Sequence, residues 1–125
     1  MQIIPNISVI VPMYNAASTI ERCLAPLSVM LERGEVKEII VVDDCSTDRS
    51  PDIVAATPAV RLERTTEQAG PGAARNHAAG LASGTHLWFV DSDVIVADDC
   101  ARVLSQAFAE TGAGAVLDAR LSGES

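Results

Sequence analysis

Basic charge is what the sequence most conspicuously lacks. One lysine and eight arginines stand against 17 acidic residues, for a formal net charge of −8. Nucleic-acid binding needs a basic face and none is visible, so nucleic acid is excluded as a partner. Long apolar runs are missing as well. No stretch approaches the roughly 20 residues of a bilayer span, and the amino terminus lacks the basic-then-apolar layout of a secretory signal. No transmembrane segment is therefore expected, and a cytoplasmic location is. Cysteine is sparse: Cys23, Cys45 and Cys100 lie far apart, with no CxxC and no histidine at metal-ligating spacing. Free thiols in a reducing compartment are expected, with Cys45, directly after two aspartates, a poor nucleophile. Repeats, linkers and low-complexity stretches are also absent, which predicts one domain over residues 1–125.

What is present is apolar sequence in short bursts, 48% of the residues overall. Ile7 to Pro12, Glu38 to Val42, Ala59 to Glu63 and Thr85 to Val90 read as strands, and Ala115-Val116-Leu117 begins a fifth. Between them lie helical patterns. Ser18 and Glu21 form a capping box ahead of Ile20, Cys23, Leu24, Leu27 and Leu31, with Pro26 expected to kink or end that helix. Ser50-Pro51 has the chemistry of a second helix start, and Gly70-Pro71-Gly72 opens an alanine-rich third running to Leu81. Asp98 or Asp99 is expected to cap a fourth. Strand and helix in alternation predict an α/β fold with a mainly parallel sheet and helices on both faces.

The polar residues gather at strand ends. Tyr14-Asn15 follow the first strand, Asp43-Asp44 the second, and Asp91-Ser92-Asp93 the fourth. Ligands of open parallel sheets bind beyond the carboxyl ends of strands, where strand order reverses. A strand order of 3-2-1-4 brings all three clusters to one crevice. Asp91 and Asp93 held side by side repel unless a cation sits between them, and hard oxygen ligands suit Mn²⁺ or Mg²⁺, which also take phosphate oxygens.

Four segments in this order resemble the family 2 glycosyltransferases, nucleotide-diphosphate-sugar enzymes with the Rossmann-like GT-A fold. They are Val9 to Asn15, Ile39 to Asp48, Gly70 to Asn76 and Phe89 to Asp93. The resemblance implies that Pro12 and Tyr14 line a base pocket with Asn15 beside them. It implies that Asp44 accepts a hydrogen bond from the base, commonly uracil, with Asp43 nearby. Arg75 would hold the nucleotide or offset its diphosphate charge. Asp91 and Ser92 would face the ribose or sugar, and Asp93, with Asp91, would ligate the metal. The family usually has glycine where Cys45 stands and often asparagine near Gln68.

In that family the acceptor-binding part and the catalytic base lie well downstream of the Asp-x-Asp. The expectation is therefore the donor-binding half of a GT-A domain, cut after its fifth strand, with no catalytic residue of its own. The enzyme would transfer sugar from a UDP-linked donor to an unknown acceptor with inversion. A module that binds nucleotide-sugar and metal without transferring is the alternative. A phosphoacceptor receiver domain is set aside: the first strand does not end in an acid pair, and the only lysine is Lys37. A sheet cut short would leave an apolar edge or face, so self-association is expected.

Overall fold

The computed structural model describes residues 6–68, 70–111 and 116–118. Strand and helix alternate: β1 (Ile7–Met13), α1 (Ile20–Glu32), β2 (Glu38–Asp43), α2 (Ser50–Ala55), β3 (Val60–Arg64), α3 (Pro71–Leu81), β4 (His86–Phe89), α4 (Cys100–Thr111) and β5 (Val116–Asp118). Every strand pairing is parallel, in the order β3-β2-β1-β4-β5. The expected 3-2-1-4 order is there, with β5 added beyond β4, and the order reverses between β1 and β4. Edge strand β3 carries Arg61, Glu63 and Arg64, charges that discourage pairing with another chain.

Side chains alternate along a strand, so the sheet feeds two apolar layers. Ile7, Val9, Val11 and Met13 of β1 pack with Ile39 and Val41 of β2 against α1, α2 and α4. The helix α1 contributes Ile20, Cys23, Leu24, Leu27 and Met30 at the spacing of an amphipathic helix. On the other face Ile10, Ile40, Val42 and Phe89 meet Ala74 and Ala78 of α3. Those alanines stand four apart, on one side of the helix, and their small size lets it lie close to the sheet. Each fully buried Leu or Ile adds about 1.5–3 kcal/mol, so the face bearing three helices carries most of the stability.

Several local expectations shift. Pro26 does not end α1, which runs unbroken past it. Thr19 rather than Ser18 precedes the helix and makes no side-chain cap; Ala16 O instead accepts the N–H groups of Thr19 and Ile20 at 3.0 and 2.9 Å. The third strand starts one residue late because Ala59 takes a left-handed φ of 64°. The fourth is His86–Phe89, though Val90 still donates to Ile10 O at 2.9 Å. Asp48 accepts the Ser50 N–H at 2.9 Å at the start of α2. Asp98 turns to Arg33 at 3.2 Å, while the carbonyl of Asp99 accepts the Val103 N–H at 3.0 Å as α4 begins. Ala115, expected in the fifth strand, lies outside the described residues.

At the amino ends of the strands, Glu38 Oε2 accepts from Ser8 Oγ at 2.6 Å, Ser83 N at 2.7 Å and Ser83 Oγ at 3.0 Å. Partial burial pushes the Glu38 carboxyl up, but the bonds from Ser8 and Ser83 and the charge of Lys37 outweigh it and leave the pKa below the ordinary 4.5. A folded-state pKa below the unfolded value stabilises fully above that unfolded value, and the gain is lost as pH falls through the folded one. Glu38→Gln is therefore expected to flatten the acid limb of the stability profile. Urea midpoints taken from about pH 6 down to about pH 3 check this, and an unchanged slope contradicts it.

Candidate functional site

Because β1 is paired on both sides, the chain leaves β2, β1 and β4 at one rim. Met13 is level with Asp43, and Ile10 with Phe89. The three exits surround a cleft of about 530 Å³. Pro12, Tyr14, Asn15, Asp44, Asp91, Ser92 and Asp93 line it, seven of the nine expected residues, whereas Asp43 and Arg75 do not.

The loops after β1 and β2 are stapled together. Asn15, with a left-handed φ of 47°, accepts through Oδ1 from Thr47 N at 2.8 Å and Asp48 N at 3.3 Å. Its own N–H reaches Ser46 Oγ at 2.8 Å, and Ala16 N reaches Ser50 Oγ at 2.9 Å. The Ser50 hydroxyl and N–H also hold the exposed Asp48 carboxyl below its usual range. The carbonyl side of Asn15 is thus spent inside the protein. Tyr14, next to it, is 47% exposed, leaving its ring open to a ligand.

Asp43 was expected beside the ligand and is instead fully buried. Its Oδ2 pairs with Arg64 Nε at 3.1 Å and receives the Ser46 N–H at 3.4 Å. A buried carboxylate needs such a counter-charge, and Asp43 anchors the loop rather than lining the cleft. Asp44 does face the cleft. Thr65 Oγ1 donates to its Oδ1 at 3.1 Å and Gly70 N to its Oδ2 at 2.9 Å. Cys45 follows at a φ of 66°, a conformation that glycine adopts without strain, which accounts physically for glycine being usual at this place in the family.

Across the cleft, Asp91 Oδ1 accepts from Arg75 Nη2 at 3.3 Å, and the Arg75 guanidinium lies 5.8 Å from the centre of the Phe89 ring. Arg75 therefore stands behind Asp91. Beneath them the Cys23 thiol donates to Asp91 O at 3.5 Å. Burial, and then the charges of Asp93 and Asp91, push that thiol up to about 12, so it stays neutral and is no nucleophile. Among the described residues no three His, Cys, Asp or Glu side chains gather as a metal cage. Asp91 and Asp93 supply two hard oxygen donors on the cleft wall. Such a pair fits an ion that keeps water and takes phosphate oxygens, as Mg²⁺ and Mn²⁺ do, and does not fit a cation held by protein alone.

Sequence reasoning gave β3 no part in the site. Yet Arg64 and Thr65 hold Asp43 and Asp44, and Gln68 and Gly70 line the cleft. The usable signal was topological: in a 3-2-1-4 order the third strand also ends on this rim. Among the described residues no helix is long and apolar enough to cross a membrane.

Known proteins resemble this chain in sequence and in fold. The family described as Glycosyl transferase family 2 matches residues 8–125. Succinoglycan biosynthesis protein ExoO of Rhizobium meliloti (strain 1021) is 38% identical over 117 residues, covering 92% of this chain and 33% of that protein. Poly(ribitol-phosphate) beta-glucosyltransferase of Bacillus spizizenii is 43% identical over 93 residues, covering 70% of this chain and 15% of that protein. The chain thus spans a third or less of the length of these two relatives. Among solved structures, S. aureus TarS 1-349 in complex with UDP-GlcNAc superposes with a TM-score of 0.75 at 33% identity, over 84% of this chain and 31% of that one. Glucosyl-3-phosphoglycerate synthase from Mycobacterium tuberculosis, in complex with Mn²⁺ and UDP-Glc, gives a TM-score of 0.73 at 27% identity, over 84% of this chain and 39% of that one. With the order 3-2-1-4 sheet, the cleft at its carboxyl rim and a family match over residues 8–125, the chain belongs to glycosyl transferase family 2.

Proposed function

We propose that the cleft binds a UDP-linked sugar with a divalent metal, and that the protein transfers the sugar to an acceptor with inversion. One observation carries this: Tyr14 and Asp44 on one side and Asp91 and Asp93 on the other line the same cavity. The complexes of TarS with UDP-GlcNAc and of the mycobacterial synthase with Mn²⁺ and UDP-Glc support it by analogy. Tyr14 offers its exposed ring to the base, and Pro12 forms the pocket beside it. Asp44, as a carboxylate, accepts from a base N–H. Asp91 and Asp93 are the metal ligands, with Ser92 between them facing the sugar side. Arg75 orients Asp91 and adds positive charge near the diphosphate. When bound, the metal acts as a Lewis acid that stabilises charge on the departing nucleotide.

The carboxylates lining the cleft among the described residues are Asp44, Asp91 and Asp93, and all three serve the donor. These residues are therefore assigned to donor binding, and the base that activates the acceptor hydroxyl to another part of the full enzyme. Cys23, Cys45 and Cys100, none of them in a disulfide, fit a reducing, cytoplasmic setting. Titration calorimetry with UDP is the test. Binding that strengthens when Mn²⁺ is added is expected, and no binding in either condition rejects the assignment.

A further inference from the structure

Thr65 follows edge strand β3 and is tied to three consecutive residues of the neighbouring loop. Its N–H donates to Asp43 O at 3.0 Å, and its carbonyl accepts from Cys45 Sγ at 3.5 Å. Its hydroxyl has a single proton and three possible acceptors in reach, Asp44 Oδ1 at 3.1 Å, Asp43 O at 3.4 Å and Cys45 Sγ at 3.6 Å. The carboxylate is both nearest and charged, so it takes the proton. The second oxygen of Asp44 is held from another direction by Gly70 N at 2.9 Å. Gly70 presents that N–H with φ 90° and ψ 167°, a backbone conformation open to glycine alone, just before α3. Donors from two separate elements thus hold the two oxygens, and the plane of the carboxylate is fixed at the cleft wall.

We infer that Thr65 is a positioning residue for base selection: by holding Asp44 as an oriented acceptor, it makes the cleft favour bases that present an N–H over bases that present a ring-nitrogen acceptor. This rests on the donor role proposed above for Asp44. An ionised carboxylate only accepts hydrogen bonds. Uracil offers it an N–H, whereas cytosine offers an unprotonated nitrogen at the same edge, and two acceptors face to face are repelled. A loosened Asp44 turns away from both. The benefit to uracil is lost, and cytosine has little to lose.

The test measures the affinities of UDP and CDP, each with Mn²⁺, for the wild-type chain and for Thr65→Val, Thr65→Ala and Thr65→Ser, with unfolding midpoints alongside. CDP is read by competition against UDP. The wild type is expected to prefer UDP. Thr65→Val, nearly the same shape without the hydroxyl, is expected to lose about tenfold in UDP affinity while CDP moves by less than about twofold. Thr65→Ala, which cannot crowd its neighbours, should narrow the preference equally, and Thr65→Ser should restore it. An equal loss for both nucleotides assigns Thr65 to the fold alone and overturns the inference, as does an unchanged UDP affinity in Thr65→Val. A wild type that binds no UDP overturns the donor-site assignment and this inference with it.

Discussion

Asp93→Asn is expected to lose the manganese-dependent part of UDP affinity, by more than about 100-fold, with little change in the fold. Asp93 is exposed on the cleft wall, so its substitution should move the unfolding free energy by no more than about 0.5 kcal/mol. Its proposed role is different in kind. With two carboxylates on this wall and no cluster of three ligating side chains among the described residues, one ligand is half of what the protein supplies. Outer-shell partners of metal ligands are worth about 10–100-fold, and a direct ligand is worth more. Asp91 is the less direct test, because Asp91→Asn also removes the acceptor of Arg75 and so changes two interactions. Titration calorimetry with UDP, with and without Mn²⁺, separates the effects: affinity without metal should be the same in Asp93→Asn and wild type, and only the gain on adding metal should vanish. Asp98→Asn serves as the control, since that carboxylate pairs with Arg33 on the surface. If Asp93→Asn keeps its full response to Mn²⁺, the metal is held elsewhere.

How far this site could be read from the chain depended on the sheet. Continuous runs such as Val9-Ile10-Val11 and Ile39 to Val42 are what a strand covered on both faces requires, and both are fully buried. Once those strands are placed, parallel pairing delivers their ends to one rim, so Asp44 and Asp91 meet without any long-range contact being known. The orientation of individual side chains was not legible. Asp43 and Asp44 are neighbours with the same chemistry, yet one is buried on Arg64 and the other faces the cleft. Alternation along β2 sends them to opposite sides, and which side is the cleft depends on the helix layer above it. Thr65 was hidden for a related reason. Its strand is short, half-buried and charged, and a left-handed Ala59 displaces its start by one residue. Cap chemistry misled at Ser18, because Thr19 precedes the helix and makes no side-chain cap; at Ser50-Pro51 the helix does begin as expected, but the Ser50 side chain is turned to tertiary partners. The Ser50 hydroxyl serves Ala16 N and Asp48, two contacts that fasten the loops around the cleft instead of completing a helix cap.

Gly84→Ala should give the largest loss of stability among these variants, about 3 kcal/mol, or a fall of roughly 10 °C in melting temperature. A methyl group at Gly84 falls 2.5 Å from Asn6 O, 2.6 Å from Ser8 Oγ and 3.0 Å from Ser8 N. Two of those three atoms are backbone and cannot rotate aside. The Asn6 carbonyl is fixed by the N–H groups of Thr85 and His86 at 2.8 and 3.0 Å, and Ser8 is level with Leu87 where β1 meets β4. Moving the turn away instead breaks the bond from Gly84 N to Ser8 Oγ at 2.9 Å and pulls on the Ser83 groups that bind Glu38. Ser8→Ala in the same chain removes the 2.6 Å contact but leaves the carbonyl, and it also takes away the acceptor of Gly84 N and the donor to Glu38, so the double variant should not recover the loss. A loss below about 0.5 kcal/mol would mean that the β1–β4 entrance yields more readily than its hydrogen bonds imply. Gly84 sits at the amino ends of the strands and the cleft at their carboxyl ends. At a temperature where Gly84→Ala is still folded, its affinity for UDP and Mn²⁺ should therefore match the wild type, because the strain acts on the stability of the sheet and leaves the far rim in place.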